Sequence, residues 1–342
     1  MSTAIRSEED LEERLSRPLE ADVAAMKSLD GDLLVLGAGG KMGPSLVRRA
    51  RRAVVLAGNQ TRVIAVARFS QVDLALSLHS QGIETVACDL LEPGVLESLP
   101  DVPNVIFMAA RKFGTTGAAH LTWALNTHLP ALVASRYRRS RIVAFSSGNV
   151  YPLVPVTHGG AVESTPTAPV GEYAQSALGR ERMFEYASHQ WGTPVCLLRL
   201  NYAIDLRYGV LVDIARAVYE RRPVDLRMGL VNVIWQGDAN SYCLRAFEYC
   251  QSPPCVLNIT GPETLSVEVV AREFGRRFGV EPEFTGEPAP TALLSNAAQA
   301  HRLLGYPSVT AGELMEWVAS WVAGGGHSLN KPTHFEVRDG KF

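Results

Sequence analysis

The chain has 342 residues, of which 46% are hydrophobic and 20% charged, a composition that supports a large buried core and excludes wholesale disorder. Lys and Arg (33) nearly balance Asp and Glu (35) for a net charge of −2, so no basic field draws the chain to nucleic acid or an anionic membrane. Residues 1–20 are rich in Glu and Arg, and no apolar run approaches the roughly 18 residues of a membrane span, so the expectation is a cytoplasmic protein.

Ser7, followed three residues later by Asp10 and then by Leu11 and Leu15, predicts a capped helix within an N-terminal extension, 1–30. From Gly31 onward, short apolar runs alternate with longer amphipathic stretches. The runs 33–36, 62–67, 85–88, 105–108, 141–145, 195–200 and 255–259 predict seven strands. They are apolar almost throughout, without in-and-out alternation, as in parallel strands covered by helices on both faces. The fold expected is α/β: a Rossmann-type doubly wound parallel sheet over 31–200, with a returning strand near 231–260. Segments 201–230 and 261–342 would form a small substrate lobe and a tail.

Directly after the first predicted strand comes Gly37-Ala38-Gly39-Gly40-Lys41-Met42-Gly43-Pro44, and then a helical stretch. Gly37 suits the tight turn, Gly40 a close approach of backbone to pyrophosphate, and Gly43 close packing of helix on strand. The helix N-terminus adds free N–H groups and a partial positive charge. Gly37, Gly39, Gly40, Lys41, Met42 and Gly43 are therefore candidate cofactor-binding residues. Where the second strand ends, at Ala67-Arg68, no carboxylate is present for a ribose 2′-hydroxyl. Arg68, with Lys41, would instead neutralise a 2′-phosphate, which favours NADP over NAD.

These residues, with several further motifs in order, resemble the extended short-chain dehydrogenase/reductase family, the NAD-dependent epimerase/dehydratase group, over about 32–324. Asp89-Leu90 is similar to the family's adenine-contacting aspartate segment, and Ala109-Ala110 to its cofactor-lining alanines. Asn126 matches its asparagine, and Ser147 within Ser146-Ser147-Gly148-Asn149-Val150-Tyr151 its catalytic serine. Tyr173 aligns with its catalytic tyrosine, Glu181 with an acidic position further along the same helix, and 233–239 with its late strand and aspartate. The resemblance implies catalytic roles for Ser147, Tyr173 and Asn126, with Tyr173 also touching cofactor. It places substrate contacts at Asn201, Arg207 and Tyr208, with Arg207 and Arg227 paired for a diphosphate ligand, while Arg111 and Lys112 are candidates to meet substrate or cofactor because loops after strand carboxyl ends line the ligand crevice. It also implies a homodimer joined through helices near 121–136 and 173–190.

In one position the chain departs from the family: the lysine four residues after the tyrosine is Ala177. Residues at i and i+4 share a helix face, so that lysine would hold the ribose and lower the tyrosine pKa, and a methyl does neither. A free tyrosine titrates near about 10 and is a poor base at neutral pH, though a competent donor. Arg180, Arg111 or Lys112 could supply the missing charge. Two functions follow: an NAD(P)-dependent oxidoreductase or epimerase/dehydratase acting on a carbonyl or sugar-type small molecule, or a coenzyme-binding sensor or scaffold that has lost catalysis. The five scattered cysteines read as reduced buried thiols, and His158, His189, His301 and His334 share no metal-ligand spacing. Trp317 and Trp321 read as a core-facing helix stripe.

Overall fold

The computed structural model describes residues 5–70, 72–112 and 117–341, so residues 1–4 of the expected extension and Phe342 of the tail lie outside the described residues. Seven strands form one parallel sheet: β1 (Leu33–Leu36), β2 (Val63–Ala67), β3 (Glu84–Ala87), β4 (Asn104–Phe107), β5 (Arg141–Ser147), β6 (Val195–Leu200) and β7 (Cys255–Ile259). Their order is β3-β2-β1-β4-β5-β6-β7. β1 lies between β2 and β4, with Leu33 opposite both Val63 and Asn104. The connections therefore reverse direction at β1 and β4, the place where a doubly wound sheet opens a crevice beyond its carboxyl ends.

The lack of alternation in the strand sequences has a direct cause. Leu33, Val35, Val63 and Ala65 point into one apolar layer, and Leu34, Leu36, Ile64 and Val66 into the other. Successive residues feed opposite faces, and helices cover both.

A third apolar cluster lies apart from the sheet layers. It joins Val210 and Ile214 of the helix Val210–Tyr219, Val270 and Phe274 of the helix Val267–Phe278, and Trp317 and Trp321 of the helix Ala311–Ala323. Trp317 packs edge-on against Trp235, ring centres 5.4 Å apart. Leu11 and Leu15 of the first helix, Glu8–Ser16, enter the same cluster, and Ser7 caps that helix by accepting from the Asp10 amide at 3.1 Å. In the second helix, Glu20–Lys27, fully buried Asp22 pairs with Arg49 at 2.6 Å. Both leading helices are thus tied to the helix Gly43–Ala57 that follows the glycine turn. No helix among the described residues is long and apolar enough to cross a membrane.

Candidate active site

The glycine turn joins β1 to the helix Gly43–Ala57. Gly37 has φ +94°, and a Cβ there would stand 2.5 Å from the Ala109 nitrogen, so only glycine lets β1 turn this close to the end of β4. A Cβ on Gly43 would meet the Ala38 carbonyl oxygen at 2.2 Å, which fixes how tightly the helix packs on the turn. Gly40 is different: its Cβ would find only the Gly37 oxygen, at 3.5 Å. Space is open on that side. Among the described residues no backbone carbonyl takes the amides of Lys41 or Met42, while those of Gly40 and Gly43 close turns onto Gly37 and Gly40. An open glycine beside unclaimed amides at a helix N-terminus suits a pyrophosphate.

From this turn Lys41 reaches across the crevice. Its Nζ donates to the Ala203 carbonyl at 3.1 Å and stands 3.9 Å from the centre of the Tyr208 ring. Burial pulls its pKa down to about 7, opposed by Asp205. Lys112, beyond β4, places its Nζ 6.0 Å from the centre of the Tyr173 ring and 3.4 Å from the Thr333 carbonyl. Burial lowers it to about 8, with Asp213 opposing. Asp213 is itself raised by burial, and it accepts from the Thr333 amide and hydroxyl at 2.8 and 2.6 Å.

Tyr173 lies in the first turn of the helix Gly171–Trp191. One turn on, the methyl of Ala177 is fully buried in the apolar cluster that also holds Val150, Tyr151 and Ile204. Of the three residues that could replace the motif lysine, Arg180 is committed elsewhere: it donates to the Phe145 carbonyl at 2.7 Å and to Asn126 Oδ1 at 3.1 Å. Asn126 occupies a π-helical turn, Ala124–His128, and is wholly buried. It accepts from the Arg111 amide at 2.8 Å and donates to the Arg111 carbonyl at 3.0 Å and to Ser176 Oγ at 2.9 Å. Asn126 therefore clamps the backbone that presents Lys112. Such single π-turns recur at functional positions, and no residue spacing announces one.

Ser147 ends β5, its Oγ 3.2 Å from both the amide and Oδ1 of Asn149. Behind it, Ser146 donates to Glu181, which is fully buried and forms a two-pronged pair with Arg199 at 2.9 and 2.7 Å. Arg199 continues to Tyr151 Oη at 2.7 Å, and Tyr151 to Asn258 at 2.8 Å. This buried chain runs under the serine strand from the Gly171–Trp191 helix to β7.

The remaining expected contacts are spread more widely. Arg68 follows β2 and is exposed, whereas the Lys41 head lies toward Ala203 on the other flank of β1, so the two do not converge on one phosphate. Asp89 caps its own turn by accepting from the Leu91 amide at 3.0 Å, Leu90 is buried, Ala109 backs Gly37, and Ala110 is exposed. Asn201 is buried against the Leu293 carbonyl and Gly148. Arg207 is occupied by Asp205 at 2.6 Å and Glu12 at 2.8 Å, with Glu8 at 3.6 Å, and Arg227 by Asp225 at 2.6 Å. The paired-arginine grip on a diphosphate is not assembled. No group of three or more His, Cys, Asp or Glu residues among the described residues could hold a metal ion.

A parallel sheet in this strand order, with a glycine turn at its switch point, places the protein in the Rossmann-type class. The sequence model of the NAD dependent epimerase/dehydratase family matches residues 33–204, half of the chain, and the chain belongs to that family. Among solved structures it is similar to the UDP-glucose 4-epimerase of Thermotoga maritima with UDP-glucose: 16% identity, TM-score 0.70, covering 85% of this chain and 98% of that one. The UDP-glucose 4-epimerase of Thermus thermophilus in complex with NAD matches at 18% identity and TM-score 0.69, over 86% and 99%. The UDP-glucuronic acid 4-epimerase of Bacillus cereus in complex with NAD matches at 16% and 0.68, over 85% and 98%. At these identities the likeness is one of fold. No curated protein matches by sequence.

Glu181→Ala leaves Arg199 buried without its carboxylate and should destabilise the fold by about 3–5 kcal/mol in denaturant unfolding. The double change to Met at both positions should lose much less. A single-variant loss below about 1 kcal/mol contradicts the buried-pair account.

Proposed function

We propose that this chain is an NAD(P)-dependent oxidoreductase or epimerase/dehydratase acting on a carbonyl or sugar-type small molecule, with Lys112 standing where the family's lysine is missing. The observation that carries this reading is the Lys112 ammonium 6.0 Å from the Tyr173 ring centre, in the crevice beside the glycine turn. It brings a cation beside the tyrosine ring, where the buried Ala177 methyl brings none. Asn126 acts as a positioning residue for Lys112, and Arg180 braces Asn126.

The residues fit a nicotinamide dinucleotide. Gly37, Gly39, Gly40, Lys41, Met42 and Gly43 would hold its pyrophosphate, Asp89 and Leu90 its adenine, and Ala109 and Ala110 would line its path. When bound, such a coenzyme supplies hydride acceptance and donation. Ser147 would hydrogen-bond the substrate oxygen, and Tyr173 would give or take the proton at that oxygen. Arg111, Lys112, Asn201 and Tyr208 remain the proposed substrate wall, and Arg207, held by three carboxylates, does not. The epimerases named above were solved with UDP-glucose or NAD, and buried Lys112 in this crevice suits a diphosphate-bearing sugar. Arg68, exposed at the end of β2, favours NADP; Arg68→Asp should then bind NADH better than NADPH. Leu121, Trp123, Leu132, Tyr186 and Trp191 are exposed along the helices expected to join a homodimer, which light scattering would read as twice the 37.1 kDa chain mass.

A second reading, a coenzyme-binding sensor or scaffold without turnover, rests on the buried, uncharged Ala177. Activity separates the two. Turnover of a UDP-sugar or carbonyl panel should fall about 100-fold or more in Tyr173→Phe. It should also decline as pH rises through about 8, where Lys112 loses its charge, and Lys112→Met should be weak and lack that decline. Coenzyme binding without turnover on any substrate, unrescued by Ala177→Lys, favours the sensor.

A further inference from the structure

The crevice at the carboxyl ends of β4, β5 and β6 is not left open. Segment 331–341 runs through it and is fastened at four points. Asp213 takes the amide and hydroxyl of Thr333, itself only 2% exposed. The Thr333 carbonyl faces the Lys112 ammonium at 3.4 Å. Phe335, 6% exposed, enters the apolar cluster of the second lobe. Arg338 donates to the Thr291 carbonyl at 2.7 Å, the Thr291 hydroxyl at 2.6 Å and the Arg227 carbonyl at 3.2 Å. Gly340 then lies against the start of the tyrosine helix, where a Cβ would meet the Val170 carbonyl oxygen at 2.2 Å.

Between the segment and the crevice is a half-open pocket with about 40 Å³ of space for water, lined in part by Lys112, Asn149, Val170, Tyr202, Val337 and Arg338. At about 10–15 Å³ of such space for each water, it holds a few solvent molecules and no sugar nucleotide. Lys112, Asn149 and Tyr202 follow the ends of β4, β5 and β6, where a doubly wound fold receives its ligand. The segment therefore occupies the space that a ligand reaching Lys112 through this pocket would need.

We propose that segment 331–341 is a strap seated in the substrate crevice, fastened by Thr333 to Asp213 and Lys112, and that it must lift before a substrate enters. This rests on the crevice being the substrate site of the proposed function. A strap seated nine-tenths of the time weakens ligand binding about tenfold, since only the open fraction is competent.

The experiment measures how fast trinitrobenzenesulfonate modifies Lys112 near pH 8, read by peptide mass spectrometry, with exposed Lys27 as the internal reference. Three chains are compared: the full chain, a chain ending at Asn330, and Gly340→Val, which pushes on the Val170 carbonyl without removing Phe335 or Thr333. The strap predicts Lys112 modified at least about tenfold faster in the shortened chain and faster in Gly340→Val, with Lys27 unchanged. UDP-glucose should then protect Lys112 in the shortened chain at about a tenth of the concentration the full chain needs. Unmasking of Lys112 without protection by UDP-glucose upholds the strap and removes the sugar-nucleotide substrate class. Equal Lys112 rates in all three chains overturn the strap. So does loss of the cooperative unfolding transition in both altered chains, because the segment would then be core and not strap.

Discussion

Everything at the candidate site hangs on how closely two backbones approach at the glycine turn. Between them, Gly37 and Gly43 have no room for a Cβ: the end of β4 closes on one and the Ala38 carbonyl on the other. That double contact sets the position of the helix Gly43–Ala57 and turns its amino end toward the crevice. It also sets where Lys41 starts, and so lets its ammonium span to Ala203 and Tyr208. The leading helices reinforce the same element from behind, through Asp22 to Arg49 and Glu12 to Arg48.

The second theme is the redistribution of positive charge around Tyr173. An alanine one turn along its helix removes a cation from a place where the chain has built an apolar contact. In the proposed site the charge comes from another direction, from Lys112 on the loop after β4, whose neighbour Arg111 is held by Asn126 through both backbone groups. Burial keeps Lys41 and Lys112 near the point of losing their protons, so the crevice is electropositive at neutral pH and less so in mild alkali.

The sequence made the sheet legible because buried parallel strands are the simplest of patterns: apolar runs with helical stretches between them. The seven expected runs differ from β1 to β7 by two residues at most. The glycine turn was legible for a related reason, since a missing Cβ is written in the residue name. Side-chain partnerships across long separations were not. Arg207 looked like a ligand contact because nothing nearby in sequence shows that Glu12, almost two hundred residues earlier, occupies it. Lys41 looked like a partner for Arg68 because the spacing does not say which way its side chain runs. The Thr333 to Asp213 and Lys112 contacts join segments with no shared periodicity, so the closing segment carried no signal at all.

The most direct measurement concerns Gly40, the one loop glycine with open space on its Cβ side. In Gly40→Val the new side chain meets little protein but fills the place assigned to the pyrophosphate. NADH and NADPH fluorescence titrations, paired with thermal unfolding, should show a chain as stable as the parent that has lost coenzyme binding. Undiminished binding in Gly40→Val, or a parent chain that binds neither coenzyme, would contradict the account.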